Sequence, residues 1–208
     1  MSESSENQKK HSIKIILLGE SGIGKTNLIN LYLGEKFNPN EASTTNPSQT
    51  DKIKVINNKK INVSLWDTMG QEKHRSVTKS FIKGSNIVIF VYDITRRETF
   101  LELNYWVNAV IEEIGDDEVL FGIAANKIDL FHKSEVKKVE GEEYAQKINA
   151  LFSETSAKSD VGFKNLVDEL LEKFLLNKNN IDENQDNEKN FGLKNEKGET
   201  NKKKKTFC

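Results

Sequence analysis

Residues 19–26 read Gly-Glu-Ser-Gly-Ile-Gly-Lys-Thr and fit the phosphate-binding pattern G-x-x-x-x-G-K-[ST]. The glycines allow the backbone to fold closely around an anion, so that successive N–H groups point at phosphate oxygens. Lys25 adds a positive charge at the terminal phosphates, and the Thr26 hydroxyl is a ligand for Mg²⁺. The pattern predicts binding of a nucleoside triphosphate, but kinases, ATPases and GTPases share it. The residues of this stretch that we expect in the site are Gly19, Glu20, Ser21, Gly22, Ile23, Gly24, Lys25, Thr26 and Asn27.

A second motif, Asn126-Lys127-Ile128-Asp129, directly follows the apolar run 119–125. In an open α/β sheet, ligands bind at the carboxyl ends of the strands, which is where this motif would lie. A carboxylate at Asp129 can accept hydrogen bonds from N1–H and the exocyclic amine of guanine, a donor pair that adenine lacks. The motif therefore predicts guanine as the base. The competing class is an ATPase or kinase, in which ATP would compete with GDP for the site.

A third motif, Asp67-Thr68-Met69-Gly70-Gln71-Glu72, also follows an apolar run, residues 61–66. Asp67 can hold the Mg²⁺ shell, and Gly70 permits its N–H to approach the γ-phosphate. Gln71 can orient an attacking water, so that Gln71 and Lys25 are the predicted catalytic residues.

Size and composition limit the class of protein that can carry these motifs. A chain of 208 residues is long enough for one sizeable domain with a tail. Its 31 Lys and Arg nearly cancel its 32 Asp and Glu, which argues against nucleic acid as a partner. The single cysteine, Cys208, excludes an intramolecular disulfide and fits a reducing compartment. We expect a cytoplasmic protein, because the polar first residues lack a secretory signal and the longest apolar run, residues 87–92, is too short to cross a bilayer.

The elements that position the motifs are apolar runs alternating with helical patterns. Strands are predicted at residues 13–18, 53–56, 61–66, 87–92, 119–125 and 151–152, and the main helices at 99–114, 142–148 and 163–174. This alternation predicts an α/β fold with a mostly parallel six-stranded sheet and helices on both faces. Two asparagines, residues 57 and 58, predict a hairpin turn, which makes one edge strand antiparallel.

Three regions differ in composition. Residues 1–11 are polar and predict a flexible N-terminal arm, and residues 12–176 form the predicted folded domain. Residues 177–208 are rich in Asn, Lys, Glu and Asp, and we expect a disordered tail, because such a segment buries too little surface to offset its ordering entropy.

In order along the chain, residues 19–26, 67–72, 126–129 and 156–158 resemble the guanine-nucleotide boxes of the Ras-like small GTPases. Within that superfamily the chain is most similar to the Rab family, on residues 66–72, 81–85 and 91–95 and on the helix with Phe100 and Trp106. The resemblance implies the P-loop small-GTPase fold and a monomeric switch that binds GTP and GDP with Mg²⁺ and hydrolyses GTP slowly. It also implies a role in vesicle trafficking, with an exchange factor, a GTPase-activating protein and effectors as partners.

The resemblance also implies roles for single residues outside the first two motifs. Phe37 would lie against the guanine, and Ser156, Ala157 and Lys158 would support the base pocket. Thr44 would bind Mg²⁺ in the triphosphate state, with the adjacent Thr45 as an alternative.

Two segments depart from the Rab pattern. The first switch (residues 44–49) continues after Thr44 as Thr-Asn-Pro-Ser-Gln, where a Rab usually has Ile-Gly-Val-Asp-Phe. In the second switch, Met69 and His74 replace the usual alanine and aromatic residue. These departures leave two alternatives: a guanine-nucleotide scaffold with little hydrolysis, or a GTPase of another Ras-like branch. Neither switch offers an assignable arginine finger, so that we expect acceleration of hydrolysis to need a partner.

The C-terminus reads Lys-Lys-Lys-Lys-Thr-Phe-Cys over residues 202–208. Prenylation of Cys208 together with the lysines would supply two membrane signals, although Cys208 is not part of a paired cysteine or a C-a-a-X box. This predicts association with the cytosolic face of an intracellular membrane. The alternatives are a solvated basic tail and a basic localisation signal.

Overall fold

A computed structural model describes residues 12–41, 44, 46–56, 58–68, 80–114 and 119–178. Its elements are six strands and a set of helices. The strands are β1 (Ser12–Leu18), β2 (Ser48–Ile56), β3 (Lys59–Asp67), β4 (Ile87–Asp93), β5 (Leu120–Asn126) and β6 (Leu151–Glu154). The helices are α1 (Lys25–Leu33), α2 (Arg97–Leu101), α3 (Leu103–Ile114), a 3₁₀ helix (Ile128–Lys133), α4 (Lys138–Lys147) and α5 (residues 163–178).

The strands form one sheet in the order β2-β3-β1-β4-β5-β6. Every neighbouring pair is parallel except β2 and β3, which are antiparallel and joined by a two-residue turn with Asn58 in the left-handed conformation. All seven residues of β4 are buried, as expected for a central parallel strand covered on both faces. The predicted fold class, a mostly parallel six-stranded sheet with one antiparallel edge strand, is confirmed.

Helices cover both faces of the sheet, because successive side chains of a strand point in opposite directions. On one face, Phe90 of β4 belongs to the same buried cluster as Trp106 of α3. On the other face, Ile89 and Gly122 face Leu166 and Leu170 of α5, and a Cβ at Gly122 would lie 2.7 Å from Leu170. Because β1, β3, β4 and β5 are parallel, their carboxyl ends lie at one edge of the sheet, where residues 19–26, 67–68 and 126–129 are found.

Several elements differ from their predicted bounds, among them β2 and the helix predicted over residues 99–114. Strand β2 begins at Ser48, because its whole length pairs with β3, from Ser48 opposite Asp67 to Ile56 opposite Lys59. Its first five residues are polar or charged, so no apolar run marks them. The helix predicted over residues 99–114 is divided at Glu102 into α2 and α3.

The chain divides into two units, Met1–Leu171 and Glu172–Cys208. The predicted arm, residues 1–11, and residues 179–208 of the predicted tail lie outside the described residues, and the predicted domain bounds stay a prediction. Among the described residues, no helix combines the length and the apolar character that a membrane span requires.

Candidate nucleotide-binding site

A cleft of about 400 Å³ opens at the carboxyl edge of the sheet, between the loop after β1 and the segments after β5 and β6. It brings together most of the predicted nucleotide site. Of the predicted residues, Ser21, Gly22, Gly24, Lys25, Thr26, Asn27, Phe37, Thr44, Asn126, Lys127, Asp129, Ala157 and Lys158 line it. Five others do not line it but form hydrogen bonds with residues that do: Gly19, Glu20, Ile23, Asp67 and Ser156. Gly70, Gln71 and Cys208 lie outside the described residues.

The loop of residues 19–24 is held by side chains that bind its carbonyl oxygens. Lys25 Nζ donates to Gly19 O at 2.7 Å and to Glu20 O at 2.8 Å. From the end of β5, Asn126 Nδ2 donates to Ile23 O at 2.7 Å, and the next residue, Lys127, donates through Nζ to Gly22 O at 2.8 Å. In a trans peptide the N–H points away from the carbonyl, so that bound carbonyls leave the N–H groups directed to the opposite side. This arrangement is the one that an anion-binding loop requires.

Lys25 is the most deeply buried cation of the cleft, with 5% of its surface exposed. Burial lowers the pKa of its ammonium group from 10.5 to about 8, although Asp67 and Glu20 act in the opposite direction. A buried charge whose hydrogen-bond partners are neutral carbonyls gains strongly from a nearby anion. Lys25 is therefore suited to bind phosphate.

Gly24 joins this loop to α1 and sits where only glycine fits. Its φ of +97° lies in the left-handed region, and a Cβ there would be 2.7 Å from Asn126 Nδ2. The same Asn126 nitrogen binds Ile23 O, and Asn126 Oδ1 accepts a hydrogen bond from Thr155 at 3.2 Å. The close approach thus links the phosphate end of the cleft to the segment after β5.

Three predicted Mg²⁺ ligands from three parts of the chain converge at the phosphate end. Thr26 Oγ1 donates to Asp67 Oδ2 at 2.8 Å, Thr44 Oγ1 donates to the same oxygen at 3.0 Å, and the two hydroxyls are 2.9 Å apart. Asp67 Oδ1 is buried and has no hydrogen-bond partner among the described residues. Thr45, the alternative to Thr44, lies outside the described residues.

The chemistry of this cluster fits Mg²⁺. Burial raises the pKa of the Asp67 carboxyl, against the hydrogen bonds from Thr26 and Thr44 and the charge of Lys25, so that a nearby cation would favour its ionised form. Mg²⁺ prefers oxygen ligands and is commonly held by one or two carboxylates together with substrate phosphates. No set of three or more His, Cys, Asp or Glu side chains suited to a metal occurs in the described part of the chain. A site built from two hydroxyls and one carboxylate agrees with that pattern.

Asp129 lies at the other end of the cleft. Its Oδ1 accepts a hydrogen bond from the buried Ser156 hydroxyl at 2.7 Å, and Ser156 Oγ accepts one from the Ser159 N–H at 3.0 Å. The serine thus fixes the orientation of the carboxylate that was predicted to select guanine.

Asn27 positions the loop that carries Phe37. Its side-chain amide donates to Asn38 O at 3.1 Å and accepts from Asn38 N at 3.0 Å, so that a double hydrogen bond fixes the residue after Phe37. The sequence pattern alone assigned Asn27 no such contact.

Four residues line the cleft that were not predicted to: Pro39, Glu41, Thr68 and Leu130. Thr68 is buried and donates to Leu17 O at 2.6 Å, which ties the end of β3 to β1. Its position inside the third motif was the available signal. Pro39 and Glu41 follow Phe37 closely, but no local pattern marks them.

Comparison with known proteins agrees with the geometry. The sequence profile of the Ras family matches residues 14–176. The chain is 35% identical over 164 residues to the Ras-related protein Rab-18 of Caenorhabditis elegans, covering 79% of this chain and 80% of that protein. It is 36% identical to Rab-18-B of Danio rerio, with 79% and 80% covered, and 35% identical to Rab-2B of Dictyostelium discoideum, with 79% and 83% covered. The chain therefore belongs to the Ras family and is a Rab-like small GTPase, the kind of enzyme that hydrolyses GTP to GDP.

Proposed function

We propose that the protein is a guanine-nucleotide switch that binds GTP and GDP with Mg²⁺, hydrolyses GTP slowly and acts in vesicle trafficking. One observation carries the proposal: a single cleft of about 400 Å³ has the loop of residues 19–24 along it, the Thr26–Thr44–Asp67 cluster at one end and Asp129 at the other. This spacing of anion, metal and base groups suits a nucleotide phosphorylated at one end.

The chain's own residues would divide the work as follows. The N–H groups of the loop and the Lys25 ammonium would bind the phosphates, and Asp129, held by Ser156, would accept the guanine donors. Thr26, Thr44 and Asp67 would hold Mg²⁺, which supplies charge neutralisation at the phosphate oxygens when bound.

Hydrolysis depends on residues outside the described part of the chain. Gln71 would orient the attacking water, and the Gly70 N–H would approach the γ-phosphate. Because neither switch offers an assignable arginine finger, slow turnover is the expectation, and an activating protein would supply the remaining stabilisation of charge.

The switch itself would depend on Thr44. The hydroxyl of this threonine contacts Thr26 and Asp67. A γ-phosphate and its metal would strengthen that attachment, and their loss would release the first switch. Exchange factors, activating proteins and effectors would read this difference.

The primary test is nucleotide competition. A fluorescent GDP analogue bound to the full chain should be displaced by GDP and GTP and resist ATP, and chelation of Mg²⁺ should accelerate its release. Asp129→Ala should weaken GDP binding, whereas Glu169→Ala, an exposed carboxylate of α5, should leave it unchanged. Displacement by ATP as effective as by GTP would refute guanine selectivity.

The divergent first switch favours one alternative, a scaffold that binds guanine nucleotide and barely hydrolyses it. Single-turnover hydrolysis of bound GTP, compared between the unchanged protein and Gln71→Leu, separates the two functions. A rate that Gln71→Leu does not lower supports the scaffold.

Membrane association through Cys208 and the lysines at 202–205 is part of the proposal. Cys208→Ser should move the protein from the membrane to the soluble fraction of cells. Unchanged membrane recovery would contradict the lipid anchor.

A further inference from the structure

One carbonyl of the phosphate loop is held by a residue that belongs to none of the predicted motifs. Of the five carbonyls between residues 19 and 23, four accept hydrogen bonds from the three side chains of the candidate site described above. The remaining one is Ser21 O, which accepts a hydrogen bond from Arg96 Nη2 at 2.9 Å. Arg96 completes the set of donors to the loop carbonyls, although it lies 75 residues from Ser21 along the chain.

A buried carboxylate forms an ion pair with Arg96. Asp93, at the end of β4, has its Oδ2 3.4 Å from Arg96 Nε and 2.8 Å from Lys127 Nζ. Burial would raise the pKa of Asp93, but hydrogen bonds from Lys127 and Thr95 outweigh it and hold the pKa below its usual value. The ionised Asp93 therefore anchors both cations that bind the carbonyls of residues 21 and 22.

The Ser21 peptide needs such an anchor because glycine follows it. Gly22 has a φ of +71°, no atom of the described residues lies within 4 Å of a Cβ position there, and glycine adopts either sign of φ at little cost. Rotation of the peptide between residues 21 and 22 would turn its carbonyl oxygen, with its partial negative charge, toward an anion in the cleft that both residues line. With Ser21 O bound to Arg96, the Gly22 N–H points the other way.

We propose that Arg96 is a positioning residue that holds the Ser21 carbonyl and thereby keeps the Gly22 N–H directed at a nucleotide phosphate. This inference rests on the proposed nucleotide binding and adds a residue outside the motifs to it. Arg96 acts through the loop and has no contact of its own with the reacting atoms in the proposal.

The neighbouring arginine provides a matched control. Arg97 donates to Glu135 O at 3.0 Å and pairs with Glu140 at 2.5 Å, and neither contact involves the loop. It has the same side chain at the adjacent position, so that replacing it removes an equal charge without freeing Ser21 O.

The test compares dissociation of a fluorescent GDP analogue from the unchanged protein and from Arg96→Ala, Arg96→Lys and Arg97→Ala. Arg96→Ala removes a hydrogen bond from a charged donor to a loop that must stay ordered, and we therefore expect about tenfold faster release of the GDP analogue. Arg97→Ala should change the rate by less than about twofold, and Arg96→Lys should fall between, because lysine keeps the charge but lacks the fork of donors.

A second readout separates positioning from general stability. In ³¹P NMR of bound GDP, Arg96→Ala should shift a phosphate resonance, and Arg97→Ala should not. Arg96→Lys serves both readouts if the alanine variant fails to fold.

The outcomes are distinct. Release rates and phosphate resonances that match the unchanged protein would overturn the role of Arg96 while leaving the proposed function intact. Faster release with unmoved resonances and an equal loss of thermal stability would make Arg96 merely structural and would also overturn the inference. Failure of the unchanged protein to bind GDP would overturn both proposals.

Discussion

Binding of GDP to the nucleotide-free protein should take up protons from solution near pH 8, and the group responsible should be Lys25. This ammonium is 5% exposed and bonded to two neutral carbonyls, and burial lowers its pKa to about 8. A phosphate placed beside it favours the charged form and so raises its pKa again. Binding must then protonate every molecule in which Lys25 was neutral.

The magnitude follows from the titration. Uptake should be about 0.5 proton near pH 8 and about 0.1 near pH 7, since those are the neutral fractions of a group with this pKa. By linkage, affinity for GDP should fall about fourfold between about pH 7 and pH 8.5.

Calorimetry measures the uptake directly, as the difference in binding enthalpy between two buffers of unequal ionisation enthalpy at one pH. Lys25→Arg is the matched control, because arginine stays protonated throughout this range. Titration of the nucleotide itself contributes equally to both proteins. Equal uptake by the two proteins near pH 8 would refute the assignment to Lys25.

The same group predicts how the ligand-free protein responds to pH. Because the folded pKa is about 8 and the ordinary value is 10.5, the unfolded chain binds more protons between these values. The free energy of unfolding should therefore rise with pH across that window, by about 3 kcal/mol at most from this group. Below the window, the buried ammonium destabilises the folded protein by that full amount. Denaturant unfolding of the nucleotide-free protein at a series of pH values measures the rise, which Lys25→Arg should lack.

Three further predictions concern the same cleft. Gly24→Ala should lower the melting temperature more than Gly34→Ala. Both glycines have positive φ (+97° and +99°), but among the described residues only a Cβ at Gly24 meets another atom within 4 Å. Equal losses of melting temperature would mean that backbone strain alone is responsible. Asp67→Asn should raise the melting temperature of the nucleotide-free protein at neutral pH, because burial raises the carboxyl pKa and the ionised carboxylate therefore destabilises the folded state at higher pH. The same substitution should abolish the effect of Mg²⁺ on GDP release. Ser156→Ala removes the 2.7 Å hydrogen bond to Asp129 and should weaken GDP binding about fivefold to thirtyfold in equilibrium titration. Unchanged affinity would contradict the role of Ser156 in orienting Asp129.

The parts of the site that could be predicted from sequence are those whose functional groups belong to residues adjacent in the chain. The loop of residues 19–26 and the motif 126–129 carry their donors and acceptors at fixed spacing, and each follows an apolar strand. Alternating apolar runs also predicted the parallel sheet, because central strands covered on both faces need no polar residues.

The parts that were missed depend on contacts between distant segments. Arg96 meets Ser21 across 75 residues, and nothing local distinguishes it from Arg97, which pairs with Glu140 instead. The early start of β2 at Ser48 was hidden for a related reason: an edge strand gains its order from the ladder with β3, so that its polar residues carry no period of their own.

The amide of Asn126 has a consequence for how this sequence can drift over evolutionary time. Its nitrogen binds Ile23 O and stands 2.7 Å from the position of a Cβ on Gly24, while its oxygen is held by Thr155. A lineage that gained any side chain at residue 24 would have to move or replace Asn126, and replacing Asn126 would in turn leave the Thr155 hydroxyl to find another acceptor. Residues 24, 126 and 155 should therefore stay fixed or change as a group among divergent relatives, even though they are far apart in the chain.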